Sequence, residues 1–308
     1  MRRIRTGFGV KAIYVGLMVA LLGTTAVRPA LAGPSWSQIM KTFKPGWDPN
    51  SANVCIRGDI SCVEAVVAEM KRRNKPLMDL CNYNAVFSLL YLRTTQEYLR
   101  TVRNNPNYFI NTPFVNHEGA LFALYYFRAF DNYYKRERLN EVPSAWKIAF
   151  DSATNKSTTG GGDLLLGVSA HINRDLAYVL DSIGAPTQPN GYQKQGDAYE
   201  DHNRVNGILR AVQQDAIREA AARLDPTIDD TQVQGTTLDD DGFLQIVKNW
   251  REEAWQNAVL LSTQREVTTS KIETNATAQA TTFATTNRAD ATAREKRDSW
   301  CALHHDDK

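Results

Sequence analysis

The sequence predicts an all-α protein: a single helical domain of about six to seven helices around a buried central helix, with a Thr/Ala-rich C-terminal extension. Three observations carry this. Apolar residues recur at helical spacing in successive segments between residues 61 and 262. No stretch joins period-two alternation to turn signals, as strands would require. Residues 163–184, DLLLGVSAHINRDLAYVLDSIG, are apolar nearly all the way round, and a helix without a polar face belongs at the centre of a domain.

Residues 1–32 read as a secretory signal peptide. Arg2, Arg3, Arg5 and Lys11 form a basic start, residues 12–23 a short apolar run, and Ala30-Leu31-Ala32 a cleavage signal. A retained anchor is the competing reading, but the run is short for a bilayer and no later segment approaches spanning length. The mature chain is therefore expected to be secreted or periplasmic and to have no membrane span. The leader holds five basic residues and no acidic one, so its removal turns the formal charge of +2 into −3. Nucleic-acid binding, which wants a basic patch, is not indicated.

Residues 33–60 form an irregular lead-in rich in Pro, Gly, Ser and Trp. Export makes disulfides the default for Cys55, Cys62, Cys81 and Cys301. Of the three pairings possible, Cys55–Cys62 with Cys81–Cys301 is favoured, a short local loop and a bond pinning the C-terminus. The first loop encloses Arg57-Gly58-Asp59. That tripeptide could present an adhesion ligand, but a chance occurrence in a turn weighs more.

The helices follow in order. Residues 61–74 carry Val63, Val66, Val67 and Met70, and Pro76 is expected to end them. Residues 79–103 place Val86, Leu89, Leu90 and Tyr98 on one side, and residues 116–137 carry Leu121, Phe122, Leu124, Tyr125 and Phe127. Pro143 opens a shorter helix over 144–153. Residues 155–162 read as a loop, with Gly160-Gly161-Gly162 as a flexible hinge before the central helix. After that helix, Gly184, Pro186, Pro189 and Gly191 mark a loop, and helices are predicted over 199–224 and from an acidic turn at 238–241 through Leu261. From residue 263 onward Thr and Ala dominate and large apolar residues are few, as in a weakly structured stalk or an extended helix. Trp300-Cys301 suggests that the tail docks back, and His304-His305-Asp306-Asp307 reads as a solvated end.

The chemistry concentrates in the central helix, whose middle carries His171, Asn173, Arg174 and Asp175. Polar groups of this kind are rarely buried without partners. His171 and Asp175 lie one turn apart on one face and could supply two ligands to a divalent metal ion, zinc or similar. Gly167, one turn earlier, would leave room there. His202 and Asp201 in the next helix, with Asn206 one turn further, could complete the site if the two helices pack as neighbours. His117 and Asp131 share a face but lie roughly 21 Å apart along a helix, too far for one small site, and Arg128 is the expected partner of Asp131. Phosphate loops, serine elbows and H-E-x-x-H are absent. Tyr125-Tyr126 and Tyr133-Tyr134 could line a cleft but at this spacing more often fill a core.

The run Gly167-x2-Ala170-His171-Ile172-Asn173-Arg174-Asp175-Leu176 resembles the signature of a bacterial group, domain of unknown function 5995. Tyr91-Leu92-x-Thr94, Ala123-x2-Tyr126-Phe127-x-Ala129, Ala145-Trp146-x2-Ala149-Phe150, Val205-Asn206-x2-Leu209 and Glu253-Ala254-Trp255 fit the same pattern, over about residues 63–261. The resemblance implies a helical domain with a shared polar centre and no particular substrate. A more distant likeness is to the all-helical zinc phospholipases and S1-type nucleases, which use H-x3-D on a helix with an N-terminal Trp. Here Trp36 is near but not at the expected mature start, and only three histidines precede the tail, too few for a three-metal cluster.

Two functions follow as expectations. One is a metal-dependent hydrolase of a small-molecule, lipid or phosphoester substrate: His171 and Asp175 would be ligands with His202 or Asp201, and Arg174, Asn173 and Asn206 would serve the reaction. The other is an exported, non-catalytic binding or structural module in which His171, Asn173, Arg174 and Asp175 form a buried hydrogen-bond network.

Overall fold

The computed structural model describes residues 34–136 and 138–307; the signal-peptide expectation lies outside them. Among the described residues, eleven α-helices run in the order α1 (Trp36–Met40), α2 (Ile60–Asp79), α3 (Ala85–Asn104), α4 (Thr112–Lys135), α5 (Ser144–Thr154), α6 (Gly160–Ser169), α7 (Ala177–Ser182), α8 (Gln195–Arg223), α9 (Asp241–Leu261), α10 (Arg265–Thr286) and α11 (Ala291–His304). A π-helical segment, Ala170–Leu176, joins α6 to α7 into one continuous element. Between α8 and α9 lies a small hairpin, β1 (Gln232–Val233) against β2 (Thr236–Thr237). Its turn residues Gln234 and Gly235 both have positive φ, as a two-residue hairpin with right-handed strand twist requires.

The α6–π–α7 element sits at the centre, as its all-round apolar sequence predicts. All ten residues of α6 are buried. It packs on α3, α5 and α10, while the π segment meets α4, α5, α9 and α10 and α7 meets α9. Helices α2, α3 and α8 complete the bundle through α2–α3 and α3–α8 packing.

Local chemistry explains most helix limits. Asp59 caps α2 by accepting the Ser61 amide at 3.0 Å. Asn111 caps α4 through the Phe114 amide, with Pro113 in the first turn. Two limits differ from those expected. Helix α2 runs through Pro76 to Asp79: the proline gives up one bond, to the Arg72 carbonyl one turn back, without ending the helix. Helix α3 begins at Ala85 rather than 79, since Cys81 adopts φ 48° and breaks the chain direction there.

The triglycine is not a hinge. Gly160, Gly161 and Gly162 form the buried first turn of α6, which Thr159 caps. A Cβ on Gly161 would lie 2.0 Å from Thr231 Oγ1 and one on Gly160 2.7 Å from Asp225 Oδ2. The glycines therefore allow close packing. Gly167 likewise leaves no vacancy, because the ring of Phe87 comes within 2.4 Å of where its Cβ would be.

The Thr/Ala-rich stretch after residue 262 is two helices packed into the domain. Helix α10 buries Ile272, Ala276, Ala280 and Phe283, and its small side chains let it approach α5 and α6 closely. Five of its threonines bond the carbonyl four residues back, Thr277 to Glu273 at 2.6 Å among them, so their hydroxyls need no water. Helix α11 docks through Arg297, which is 4% exposed and donates to Asp163 Oδ2 at 2.6 Å. The guanidinium lies 3.4 Å from the Tyr83 ring centroid.

Both favoured disulfides are present, Cys55–Cys62 and Cys81–Cys301, in keeping with an oxidising compartment. Among the described residues no helix is long and apolar enough to cross a membrane. The Arg57-Gly58-Asp59 tripeptide is built into the fold: Arg57 pairs with Asp59 at 3.0 Å, and Asn116 donates to the Gly58 carbonyl at 2.9 Å. Asp131 pairs not with Arg128 but with Arg73, through two bonds of 2.8 and 2.9 Å.

Candidate functional site

The polar centre of the sequence falls on the π segment. A π turn carries one residue more than an α turn and re-aims the side chains that follow, which is why such turns gather at functional sites. Here His171 Nδ1 lies 3.3 Å from Asp175 Oδ2. A carboxylate can only accept, so Nδ1 donates, and burial lowers the imidazole pKa despite Asp175 beside it. The neutral ring then keeps an acceptor lone pair on Nε2, which is buried with no hydrogen-bond partner. Aromatic rings enclose it. Phe122 stacks at 3.5 Å and 4°, and Tyr91 meets it edge-on at 4.6 Å.

Asp175 is fully engaged. Oδ2 also accepts from Trp146 Nε1 at 2.8 Å, and Oδ1 accepts from Arg174 Nη1 at 2.7 Å. Arg174 reaches on to Glu273 of α10, and Tyr178 donates to the same carboxylate. Burial alone would lower the Arg174 pKa, but the Asp175 and Glu273 carboxylates reverse that and hold it raised. Asn173 donates to Ser169 and to Gln279, again on α10. The polar residues of the apolar helix thus fall into two hydrogen-bonded sets, His171–Asp175–Arg174 with Trp146 and Glu273, and Asn173 with Ser169 and Gln279, and Glu273 and Gln279 come from the stretch expected to be a tail.

The other predicted residues go elsewhere. Asp201 accepts the amides of Ile110 and Asn111 at 2.7 and 2.8 Å, anchoring the chain just before α4. Burial raises its pKa against the pull of those two amides. His202 shares α8 but turns to α9. Its Nε2 lies 3.2 Å from the Arg251 carbonyl and its ring 5.2 Å from that of Trp255. Burial, and then the Arg251 charge, push its pKa well below the ordinary value. Asn206 accepts from Arg251 Nε at 2.9 Å. No hydrogen bond or ring contact joins His202, Asp201 or Asn206 to His171 or Asp175. His117 lies apart, with its ring nitrogens 2.8 and 2.5 Å from the carbonyls of Cys55 and Pro45. Among the described residues no group of three or more His, Cys, Asp or Glu side chains is arranged to hold a metal ion.

What His171 does border is a cavity of about 170 Å³ enclosed by α2, α3, α4, the α6–π segment, α8 and α9. Its wall is almost entirely aliphatic and aromatic, with Leu90, Tyr91, Phe122, Ile172, Leu209 and Val247 among the lining residues. Two charged side chains also line it, Glu118 of α4 and Arg251 of α9. They are not an ion pair, and no hydrogen bond from a described residue reaches the Glu118 carboxyl. Burial pushes the Glu118 pKa up to about 7, opposed by Arg251 and assisted by the Asp201 charge. Burial pushes Arg251 down to about 10, against the attraction of Glu118. Arg251 spends Nε on Asn206 and Nη2 on the His202 carbonyl at 2.6 Å. Beside Glu118, Gly119 is exposed, lines the cavity, and has open space where a Cβ would point. The cavity therefore opens to solvent there.

Glu118 and Arg251 were absent from the site expected on sequence, yet a signal exists. Glu118 lies three residues after Val115 and four before Phe122, inside the apolar stripe of α4. Arg251 lies four after Val247 and three before Ala254, inside that of α9. A charge on a buried stripe needs a reason.

A family model described as a family of unknown function, DUF5995, matches residues 63–286. Neither a curated protein nor a solved structure matches the chain.

Proposed function

Because the chain belongs to the DUF5995 family of unknown function, its role has to come from its own chemistry, and we propose that it binds a small, mostly apolar molecule in the central cavity. The observation that carries this is the pair of charges, Glu118 and Arg251, facing one apolar cavity without pairing to each other. Arg251 is buried and Glu118 half-buried beside the cavity mouth; unpaired charges in such settings destabilise a fold, and they persist where a ligand completes them. An apolar enclosure with few convergent polar groups is the usual form of a small-molecule site. Its size suits a ligand on the order of a benzene ring or a short alkyl chain.

Blocking the entrance tests the proposal. Gly119→Trp, on an exposed and open helical position, is expected to leave the helical circular dichroism intact and to abolish uptake of an environment-sensitive apolar dye that the unaltered protein takes up. Equal dye uptake by both proteins would remove the cavity as the site.

The carboxyl also has a stability signature. The folded Glu118 pKa lies near 7, above the ordinary value of 4.5. Its favourable contribution is therefore complete below about pH 4.5 and lost as pH rises through 7. Glu118→Gln is expected to stabilise the ligand-free domain at pH 8 by up to about 3 kcal/mol and to do little at pH 5. Urea titrations at the two pH values check this. A loss of stability at pH 8 would mean that Glu118 serves the fold.

A second reading, metal-assisted hydrolysis, keeps one supporting observation: the orphaned Nε2 of His171, held in orientation by Asp175. A divalent ion there would take Nε2 as a ligand and would generate a nucleophilic hydroxide. Metal analysis of the purified protein, with and without added zinc or manganese, tests it. Binding of neither ion would dismiss it.

A further inference from the structure

We infer that the cavity takes an apolar monocarboxylate, seated with its carboxylate between the Arg251 guanidinium and the Glu118 carboxyl. This rests on the small-molecule reading above and goes on to name the ligand class.

The argument is one of charge and hydrogen-bond completion. Arg251 is 4% exposed and has no carboxylate partner among the described residues. Its Nε and Nη2 are committed to Asn206 and the His202 carbonyl, while Nη1 has no acceptor among the described residues. Both committed bonds go to neutral acceptors, which fix the plane of the guanidinium and leave its charge uncompensated. Glu118, on α4, lines the same cavity, and its carboxyl receives no hydrogen bond from a described residue. A cationic ligand would leave Arg251 beside a second positive charge. A neutral apolar ligand would leave buried Arg251 without a counter-charge in a low-dielectric site, where such a group is most costly. A carboxylate accepts from Nη1 and balances Arg251, provided Glu118 is neutral and donates its proton to the other carboxylate oxygen. The assembly of guanidinium, carboxylic acid and carboxylate then has no net charge, and each polar atom has a partner.

The surroundings of Glu118 favour the protonated form. Asp201 on α8 contributes a negative charge, although its oxygens are already taken by the amides of Ile110 and Asn111 and by Tyr192. The phenols of Tyr98 on α3 and of Tyr192 stand close enough to sense the Glu118 charge, and Tyr98 donates to Asn116 rather than to Glu118. Arg251 is the cation among these neighbours. His171, neutral and across the cavity, adds no charge. At pH 8, where Glu118 is mostly ionised, binding should therefore take up close to one proton, and affinity should rise as pH falls through the region near 7 where Glu118 titrates.

Isothermal titration of the whole exported chain with hexanoate and with hexanol, at pH 6 and pH 8, tests the inference. Hexanoate itself stays ionised across this range. The expected result is hexanoate affinity about tenfold higher at pH 6 than at pH 8, the change in the protonated fraction of a group titrating near 7. Hexanol should bind more weakly than hexanoate at pH 6, with no pH dependence. Glu118→Gln, whose amide donates at every pH, should bind hexanoate with the pH dependence removed. Hexanol binding as tightly as hexanoate at pH 6, or hexanoate affinity equal at the two pH values, would overturn the carboxylate assignment and leave the cavity as a neutral apolar site. If neither compound binds, the small-molecule reading falls with it.

Discussion

Asp175→Ala is expected to destabilise the domain by about 3–5 kcal/mol, the scale for removing one partner of a buried charged network. Asp175 is 1% exposed and accepts from three donors, Trp146 Nε1, Arg174 Nη1 and His171 Nδ1. Alanine strands the indole and imidazole donors in an apolar setting and leaves Arg174 with Glu273 alone. Asp175→Asn should lose less, since one oxygen still accepts, but its amide nitrogen must face a donor. His171→Phe should be milder than either, because a phenyl ring can keep the stack on Phe122 and the lost imidazole has only one bond to give up. Urea denaturation of the three variants ranks them. A loss below about 1 kcal/mol for Asp175→Ala would show that the network is dispensable to the fold and would strengthen the case that the pair is kept for chemistry.

Arg297→Ala should weaken the domain by a similar amount, about 3–5 kcal/mol, although residue 297 lies in what composition describes as a tail. The guanidinium donates to Asp163 in the first turn of α6, lies 3.9 Å from Asp225, and covers Tyr83. Asp163 is buried, and burial holds its pKa up at about 6 even with Arg297 and Thr158 beside it. Taking the cation away leaves the carboxylate to neutralise itself. Because the folded pKa exceeds the ordinary 3.8, the penalty is greatest above pH 6 and shrinks as the pH falls toward 5 and Asp163 takes up a proton. Melting curves of the variant and the unaltered chain at pH 8 and pH 5 should therefore converge at the lower pH. A constant gap would place the loss in packing against Tyr83 and not in charge.

The central helix was legible in the sequence because nothing but a core accommodates residues 163–184, and the disulfide partners were legible because the expectation of an oxidising compartment and the spacing narrow the choice. The polar cluster at 171–175 was legible as a conflict between charge and burial, and hydrogen bonds to Trp146, Glu273, Ser169 and Gln279 satisfy it. Its partners were hidden, since Glu273 and Gln279 stand in a stretch whose composition speaks against a core. Helix α10 contributes through alanines that permit closeness, and its threonines turn their hydroxyls on the backbone. Neither effect has a hydrophobic signature. The π turn was hidden as well, being a choice among backbone hydrogen bonds that the side chains allow but do not spell out. Glu118 and Arg251 interrupt apolar stripes singly, 133 positions apart in the numbering, and only the packing of α4 and α9 around one cavity brings them to a common purpose.

The bond between Cys81 and Cys301 has a mechanical consequence. It ties the turn between α2 and α3 to the last helix, so nearly the whole bundle, from α3 to α11, lies inside one covalent ring. A pull applied at the two ends of the chain bypasses that ring and runs through the disulfide. Under tension the π segment and the Asp175 network lie inside the ring and carry no load, while α2, which also walls the cavity, and the segment after Cys301 stretch first. A reductant reverses the order, because the ring then opens and the same pull reaches α11 and the Arg297 anchor directly.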